Sequence, residues 1–170
     1  MGNLSAHFDS SEFNCKTCGK SATISDLLIR RLEEIHSLMN AKAIYVTSGY
    51  RCPNCSVRVG GYRNDAHTKG MAADIKVQKQ DGSYYSAEDI AEAAERIGFG
   101  GIGLLNGATH VDTRDTEPYS NNHWFGDERN GNDNIRTFQR GTVFPGQKTE
   151  NKKRKLKIYL DDVLLIEKEI

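Results

Sequence analysis

The sequence predicts a domain of the α+β class, built from helices and short strands and extended by a C-terminal β-hairpin. Two segments repeat apolar residues at the three- and four-residue steps of a helix, and four short segments have the composition of strands. An Asn-Gly pair predicts a hairpin between two of those strands. The chain has 170 residues, which is enough to bury a core without disulfide bonds.

The first half of the chain predicts one helix and two strands. Apolar residues recur at helical spacing over residues 24–39, with Ser25 as a candidate start signal. Residues 43–48 are β-branched and aromatic, and residues 71–77 predict a second strand. Between them, residues 49–69 are rich in Gly, Pro, Asn and Arg, which predicts a long functional loop.

The second half predicts another helix and a hairpin. Residues 86–89 resemble a capping box and predict a helix that ends at the glycines from Gly98 onward. Strands are expected at 102–105 and 109–114, joined by the turn at Asn106-Gly107. Residues 115–134, rich in Asn, Asp and Gly, predict a loop.

A C-terminal appendage is expected beyond a main domain of residues 1–144. Residues 145–155 contain Pro145 and the cationic run 152–155, which predicts a linker. Residues 156–170 alternate on both sides of Asp161-Asp162 and predict a β-hairpin. Because a lone two-stranded ribbon is only marginally stable, we expect it to pack on the main sheet or to mediate self-association.

The charge balance limits the classes of partner. Lys and Arg number 23, as do Asp and Glu, so the formal net charge is zero. A dedicated nucleic-acid binder normally carries a basic excess, and no apolar run reaches the length of a membrane span. We therefore expect neither nucleic acid nor membrane as a partner. Residues 1–12 lack the apolar core of a secretion signal, so we expect synthesis in the cytoplasm.

The four cysteines form two C-x-x-C pairs, Cys15 with Cys18 and Cys52 with Cys55. In a reducing compartment this doubled spacing favours a zinc site over disulfides. Four thiolates fill the tetrahedron, so such a zinc would be structural. The alternatives are reduced thiols or redox-active pairs. A nucleic-acid-binding zinc ribbon is a further alternative, which the balanced charge disfavours.

Two segments carry the residues of a catalytic metal site. His67 ends the predicted loop, Asp74 lies on the following strand, and His110 lies on a later strand. Two His and one Asp form a three-ligand zinc set with one position left for water. The metal lowers the pKa of that water toward 7. Spacing alone leaves the alternative that these are ordinary polar residues, the interpretation we give to His7 and His36.

A proton acceptor and a cation would complete such a site. Asp112 shares a strand face with His110 and is the first candidate for the general base. Arg51 or Arg114 could stabilise an oxyanion or bind a substrate carboxylate. His123, beside Trp124, is a rival ligand or an outer group.

Several segments occur in an order that resembles the zinc D-Ala-D-Ala carboxypeptidase family, the M15 peptidases, in its phage and prophage branch. They are Thr47-Ser48-Gly49-Tyr50-Arg51, Val59-Gly60-Gly61, His67-x-x-Gly70-x-Ala72-x-Asp74 and His110-Val111-Asp112, after the opening Leu4-Ser5-x-His7-Phe8, Glu12-Phe13 and Cys15-x-x-Cys18-Gly19. The resemblance runs from about residue 4 to about residue 114. The combined set is specific, although any one piece alone is weak.

The resemblance implies a fold of the hedgehog/DD-peptidase type, a small antiparallel sheet with packed helices. It implies that His67, Asp74 and His110 hold a catalytic zinc and that Arg51 lies in the substrate site. The family cleaves peptide bonds in peptidoglycan, as carboxypeptidases or endopeptidases, so stem peptides are the expected partner. Further candidate substrate contacts are Ser48, Tyr50, Arg114, His123 and Trp124. The enzyme would reach the wall after release or as part of a phage particle.

The chain departs from the family pattern at two places. Many relatives carry a Glu or Asp base three residues before the last His, where this chain has Gly107, so the role falls to Asp112 or the more distant Glu117. Relatives often place a Trp soon after the His-x-Asp motif, whereas Trp124 follows an inserted Asn-rich loop. A non-hydrolytic zinc-containing wall-binding or structural module is the alternative function, and retention of Asp112 and Arg51 argues against it.

Overall fold

Three helices pack on a five-stranded sheet in the part of the chain that the structure describes, which confirms the predicted α+β class. The structure is a computed structural model that describes residues 2–114, 124–131, 138 and 144, and the backbone of 155–160 and 163–169. The helices are α1 (Asp26–Leu38), α2 (Pro53–Arg58) and α3 (Ala87–Ile97). The strands are β1 (Ala43–Ser48), β2 (Ala72–Gln78), β3 (Gly101–Leu105), β4 (Ala108–Asp112) and β5 (Trp124–Asp127). Short 3-10 turns span Ser10–Phe13, His67–Lys69 and Glu128–Asn130.

The sheet has the order β1-β2-β4-β3-β5. All neighbouring strands are antiparallel except β3 and β5, which are parallel. The sheet is therefore mixed, whereas the resemblance implied an antiparallel sheet. Strand β4 lies at the centre, between β2 and β3. The sheet therefore places two central strands, β2 and β4, side by side, and each carries one predicted metal ligand.

The prediction of a loop over residues 115–134 was wrong at β5 and at the 3-10 turn that follows it. Strand β5 has only four residues, and the sequence around it is rich in Asn, so local composition does not indicate a strand there. Gly126 of β5 pairs with Gly103 of β3, and a Cβ at either glycine would lie within 3 Å of the Trp124 ring. The paired glycines thus leave the space that this indole occupies.

The prediction of an uninterrupted loop over residues 49–69 was also wrong, because α2 forms inside it. Cys52 is the N-cap residue of α2 and Pro53 occupies its first turn, where a missing N–H group is tolerated. A helix of six residues is too short to show a periodic apolar pattern. The turn at His67–Lys69 ends at Gly70, whose φ of +67° is a conformation that glycine adopts readily.

The two longer helices begin at the predicted signals. The Ser25 side chain accepts a hydrogen bond from the Leu28 N–H group at the start of α1, and Ser86 and Asp89 form a capping box at the start of α3. Gly98 ends α3 with a φ of +96°. The core that these helices cover includes Phe8, Phe13, Leu28, Leu32, Ile35, Ile75, Ile90, Phe99, Ile102 and Val111.

The C-terminal hairpin is confirmed at the level of the backbone. Strands β6 (Lys155–Leu160) and β7 (Val163–Glu169) pair antiparallel in a separate two-stranded sheet. The predicted turn at 161–162 and the linker at 145–154 lie outside the described residues. The domain boundary at residue 144 and the role of the hairpin stay predictions. None of the described helices has the length and apolar character needed to cross a bilayer.

Candidate metal centre

Three ligand atoms converge on one point of the sheet. Asp74 of β2 and His110 of β4 are directly paired across the two strands, and His67 approaches from the 3-10 turn. Asp74 Oδ1 lies 2.9 Å from His110 Nδ1 and 3.3 Å from His67 Nε2, and the two ring nitrogens are 3.1 Å apart. Ligands at ordinary zinc distances on a tetrahedron would be about 3.3 Å apart. All three residues are buried, and the group could hold a metal.

The far side of each candidate ligand is held by another group of the chain. The Nδ1 atom of His67 lies 2.7 Å from the Gly49 carbonyl oxygen, which accepts its proton and leaves Nε2 as the ligand atom. The guanidinium of Arg51 donates to Asp74 Oδ2 at 2.5 Å. His110 Nε2 lies 3.0 Å from Asp112 Oδ2. Metal-binding His and carboxylate groups are oriented in this way, so the outer contacts fit a metal as well as the ligand atoms do.

The local sequence explains how the ligands meet. Alternation along β4 turns His110 and Asp112 to one face and the fully buried Val111 to the core. A Cβ at Gly70 would lie 2.3 Å from the Thr23 carbonyl oxygen, so only glycine fits the turn that returns the chain from His67 into β2. Sequence reasoning therefore predicted the convergence correctly from strand parity and the glycine.

The ionisable groups of the site stabilise one another strongly. Burial raises the pKa of Asp74, but hydrogen bonds and charge from His110 and His67 outweigh it and hold that pKa far below its usual range. Burial lowers the pKa of His110, but Asp112 and Asp74 outweigh it and raise the pKa to about 9. The metal-free group thus carries a proton on His110 at neutral pH, at a place where a cation is favoured.

Asp112 lies where it can orient His110, and its own oxygens are already occupied. Its side chain is fully buried, and Arg114 donates to it from Nε and from Nη2 at 2.6 Å. Burial raises the pKa of Asp112, but His110 and Arg114 outweigh it and lower that pKa. Strand parity predicted that His110, Asp112 and Arg114 share a face, but not that the Arg114 guanidinium covers the Asp112 carboxylate. This placement favours an orienting role over the predicted role of general base.

The ligand group opens into a cleft of about 800 Å³. Arg51, Arg114 and Trp124 line it beside the ligands, and the exposed segment Val59–Tyr62 lines another part. The Trp124 ring lies 5.9 Å from the His110 ring, edge to face, and the Arg114 guanidinium carbon lies 5.5 Å from the Trp124 centroid. The cleft gives a metal-bound group access to solvent and to an extended ligand.

Of the other predicted substrate contacts, Ser48 lies beside Arg51 and Tyr50 lies against the hydrophobic core. The Ser48 hydroxyl accepts a hydrogen bond from Arg51 Nε at 2.9 Å, so it helps to position that guanidinium. Tyr50 packs partly against the hydrophobic core and lies outside the set of described residues that line the cleft. His123 and the candidate base Glu117 lie outside the described residues.

The four predicted cysteine ligands also come together. All four sulfur atoms lie within 4.8 Å of one another, with Cys15 and Cys55 buried and Cys18 exposed. The Sγ atoms of Cys52 and Cys55 are 2.9 Å apart and those of Cys18 and Cys52 are 3.5 Å apart, so no disulfide is formed. Sulfur atoms around a tetrahedral zinc lie roughly 3.8 Å apart. The cluster is suited to a structural zinc.

Backbone N–H groups favour the thiolate form of Cys15, whereas hydrogen bonding to Cys52 and burial raise the pKa of Cys55 to about 12. Burial raises the pKa of Cys15, but the N–H groups of Cys52, Cys18 and Thr17 outweigh it and lower the pKa to about 6. The turn itself is closed by the Gly19 N–H group, which donates to the Cys15 carbonyl oxygen at 2.7 Å. A thiolate is the form that binds zinc.

Sequence reasoning assigned no role to three positions that the structure places at the site or its cleft. Gly49 orients His67 through its carbonyl oxygen, a role that side-chain chemistry cannot signal. Lys69 and Glu128 both line the cleft. Lys69 stands two residues after His67 and could have been found from that spacing, whereas Glu128 lies in a segment that its composition predicts as loop.

Comparison with known proteins identifies the family. The search of curated proteins found no match. A family model described as Peptidase M15 matches residues 6–112, which include both clusters and more than half of the chain. The chain therefore belongs to the Peptidase M15 family of metallopeptidases.

Proposed function

We propose that this protein is a zinc-dependent peptidase that cleaves peptidoglycan stem peptides, as a D-Ala-D-Ala carboxypeptidase or as an endopeptidase of stem peptides or cross-links. The observation that carries this proposal is the buried group of three ligands that opens into a cleft. Three protein ligands leave a coordination position for water, whereas four ligands would close the site. Family membership supports peptide-bond hydrolysis as the reaction class.

The residues that would hold the zinc are His67, Asp74 and His110. A zinc ion bound there supplies a water of lowered pKa and polarises a carbonyl group. The chain contributes the orientation of the ligands through the Gly49 carbonyl oxygen and Asp112. Trp124 forms part of the wall of the cleft beside His110.

Glu128 is the proton acceptor that the geometry supports best among the described residues. Three carboxylates line the cleft: Asp74, Asp65 and Glu128. Asp74 is a candidate ligand, and Asp65 accepts hydrogen bonds from the Ser56 hydroxyl and the Thr68 N–H group. Glu128 is exposed at the cleft, where its carboxylate can take a proton and return it.

Lys69 is the cation proposed to bind a substrate carboxylate. Arg114 is paired with Asp112, and Arg51 uses Nε and Nη2 on Ser48 and Asp74. Lys69 is exposed, lines the cleft, and has no carboxylate partner in the described part of the chain. A stem peptide that ends in a free carboxylate offers a matching charge.

Mass spectrometry of defined wall peptides, with and without a chelator, tests the proposal. We expect a loss of mass that equals D-Ala for a carboxypeptidase, or two fragments for an endopeptidase, and no change after the chelator. Peptides that bind but stay intact, with metal present, would contradict hydrolysis and support a wall-binding module instead.

A matched pair of variants tests the base. Glu128→Gln keeps the size of the side chain but cannot accept a proton, and we expect at least a 100-fold loss of kcat with unchanged metal content, since a general base contributes about 10²–10⁴-fold. Glu117→Gln is the control. Full activity of Glu128→Gln together with loss in Glu117→Gln would assign the base to Glu117.

We further propose that the protein acts on the cell wall after release from the cytoplasm or as part of a phage particle, without nucleic-acid or membrane partners. The C-terminal hairpin is proposed as a self-association element. Sedimentation of the full chain and of a chain that ends at residue 150 tests this role, and equal oligomeric states would contradict it.

A further inference from the structure

One short stretch of the chain touches both candidate metal sites. Residues 49–52, here called the bridging segment, follow β1 and lead into α2. The segment ends at Cys52, a member of the cysteine cluster, and its residues Gly49 and Arg51 contact ligands of the second group. Gly49 and Arg51, which contact ligands of one site, therefore lie within three peptide bonds of Cys52 in the other site.

Two of the three His–Asp–His ligands are held by the bridging segment. The Gly49 carbonyl oxygen lies 2.7 Å from His67 Nδ1, and Arg51 donates to Asp74 at 2.5 Å. The Arg51 N–H group also donates to the His67 carbonyl oxygen at 3.3 Å. A displacement of the segment would thus change the direction of both ligand side chains at once.

The other end of the segment is tied to the cysteine cluster and the N-terminal region. Cys52 contributes a sulfur and also caps α2, which carries Cys55. The Tyr50 N–H group donates to the Phe13 carbonyl oxygen at 2.7 Å, next to the turn that carries Cys15. A Cβ at Gly49 would lie 2.6 Å from the Phe13 Cα, so the two backbones are in close contact.

We propose that metal binding at the cysteine cluster positions the bridging segment and thereby raises the affinity of the His67–Asp74–His110 group for its own metal. The cysteine cluster is then a positioning element for the catalytic site as well as a link in the fold. This inference rests on the metal-binding part of the proposed function and not on peptide cleavage.

The expected size of the coupling follows from the contacts. Loss of an outer contact to a metal ligand lowers metal affinity about 10- to 100-fold, and the bridging segment makes such contacts to two ligands. Coupling between two binding sites is reciprocal, so metal at the His–Asp–His group must raise the affinity of the cysteine cluster by the same factor.

Cobalt(II) titration of the full chain tests the proposal, because cobalt bound to thiolates absorbs differently from cobalt bound to nitrogen and oxygen. Cys18→Ser removes the most exposed ligand sulfur, where loss of packing is smallest. We expect the affinity of the His–Asp–His group to fall at least 10-fold in this variant. The control is Ser83→Ala, which also changes one exposed side chain and removes only a contact with Asp81 in the turn after β2, and it should leave that affinity unchanged.

The reciprocal variant keeps the test independent of the folding of Cys18→Ser. His110→Ala removes a ligand that has no contact in the described structure with residues 49–52, and we expect the cysteine cluster to bind cobalt more weakly by the same factor. An unchanged affinity in either variant would overturn the proposal. Intact coupling in a protein that cleaves no wall peptide would contradict the proposed function and leave this inference standing.

Discussion

The ligand atoms lie equally close together in the two candidate metal sites. The sites differ in the number of ligands and in the groups that surround them. The cysteine cluster offers four thiols, which fill a tetrahedron, and its Cys15 sulfur receives backbone N–H groups. The other group offers three ligands, each supported by a carbonyl, a guanidinium or a carboxylate, and it opens into a cleft. Ligand number and access to the cleft, more than burial, separate a site that holds the chain together from one that can hold a reacting molecule.

The largest expected effect comes from removing one ligand of the His67–Asp74–His110 group, called the open group because it opens into the cleft. His110→Ala should reduce the bound zinc from two equivalents per chain to one and reduce peptide cleavage to the background of the assay. The remaining zinc should be the thiolate-bound one, measured by elemental analysis after dialysis. Retention of two equivalents and of cleavage would show that this group is not the catalytic site.

The next largest effect tests the contacts that orient the metal ligands. Asp112→Asn should weaken zinc binding at the open group about 10- to 100-fold, because it removes the carboxylate that orients His110. Asp127→Asn is the matched control, since Asp127 is also paired with an arginine but does not contact the ligand group. Unchanged zinc affinity with abolished cleavage would instead restore Asp112 as the general base.

The smallest effect, counted for a change of one pH unit, is a dependence of metal affinity on pH. The pKa of His110 is raised to about 9 in the metal-free protein, so zinc must displace a proton at neutral pH. Affinity at the open group should rise about tenfold for each pH unit and level off above the His110 pKa. Competition titrations with a chelator measure the slope. In Asp112→Asn the plateau should begin at lower pH, because the main group that raises the pKa is gone.

The sequence predicted the ligand sets better than it predicted the surroundings of the ligands. Parity along β4 and the turn at Gly70 are local properties that allow His67, Asp74 and His110 to meet, whereas the resemblance to the M15 family identified these three as the ligand set. The contact of Arg51 with Asp74 joins residues that are distant in the chain, and that of Arg114 with Asp112 depends on the conformation of a side chain two residues away. Local patterns carry no signal for the contact between Arg51 and Asp74, and the role of Asp112 as general base stays a prediction.

The same distinction applies to the fold. Helices α1 and α3 could be predicted because their caps and apolar spacing are local signals. Helix α2 and strand β5 are short, and each depends on a neighbour: the cysteine cluster for α2 and the edge of β3 for β5. Elements of this kind form because of tertiary contacts, which a reading of local composition does not contain.

The central position of β4 makes the strand that carries His110 more stable than the other residues that line the cleft. Its backbone is hydrogen-bonded on both edges, so His110 sits on a strand that should open to hydrogen exchange only with global unfolding. The exposed residues Val59 and Tyr62 and the turn that carries Glu128 also line the cleft, but they lie outside β2 and β4. Substitutions at these cleft-lining residues can therefore change which peptide binds without changing the geometry of the metal ligands.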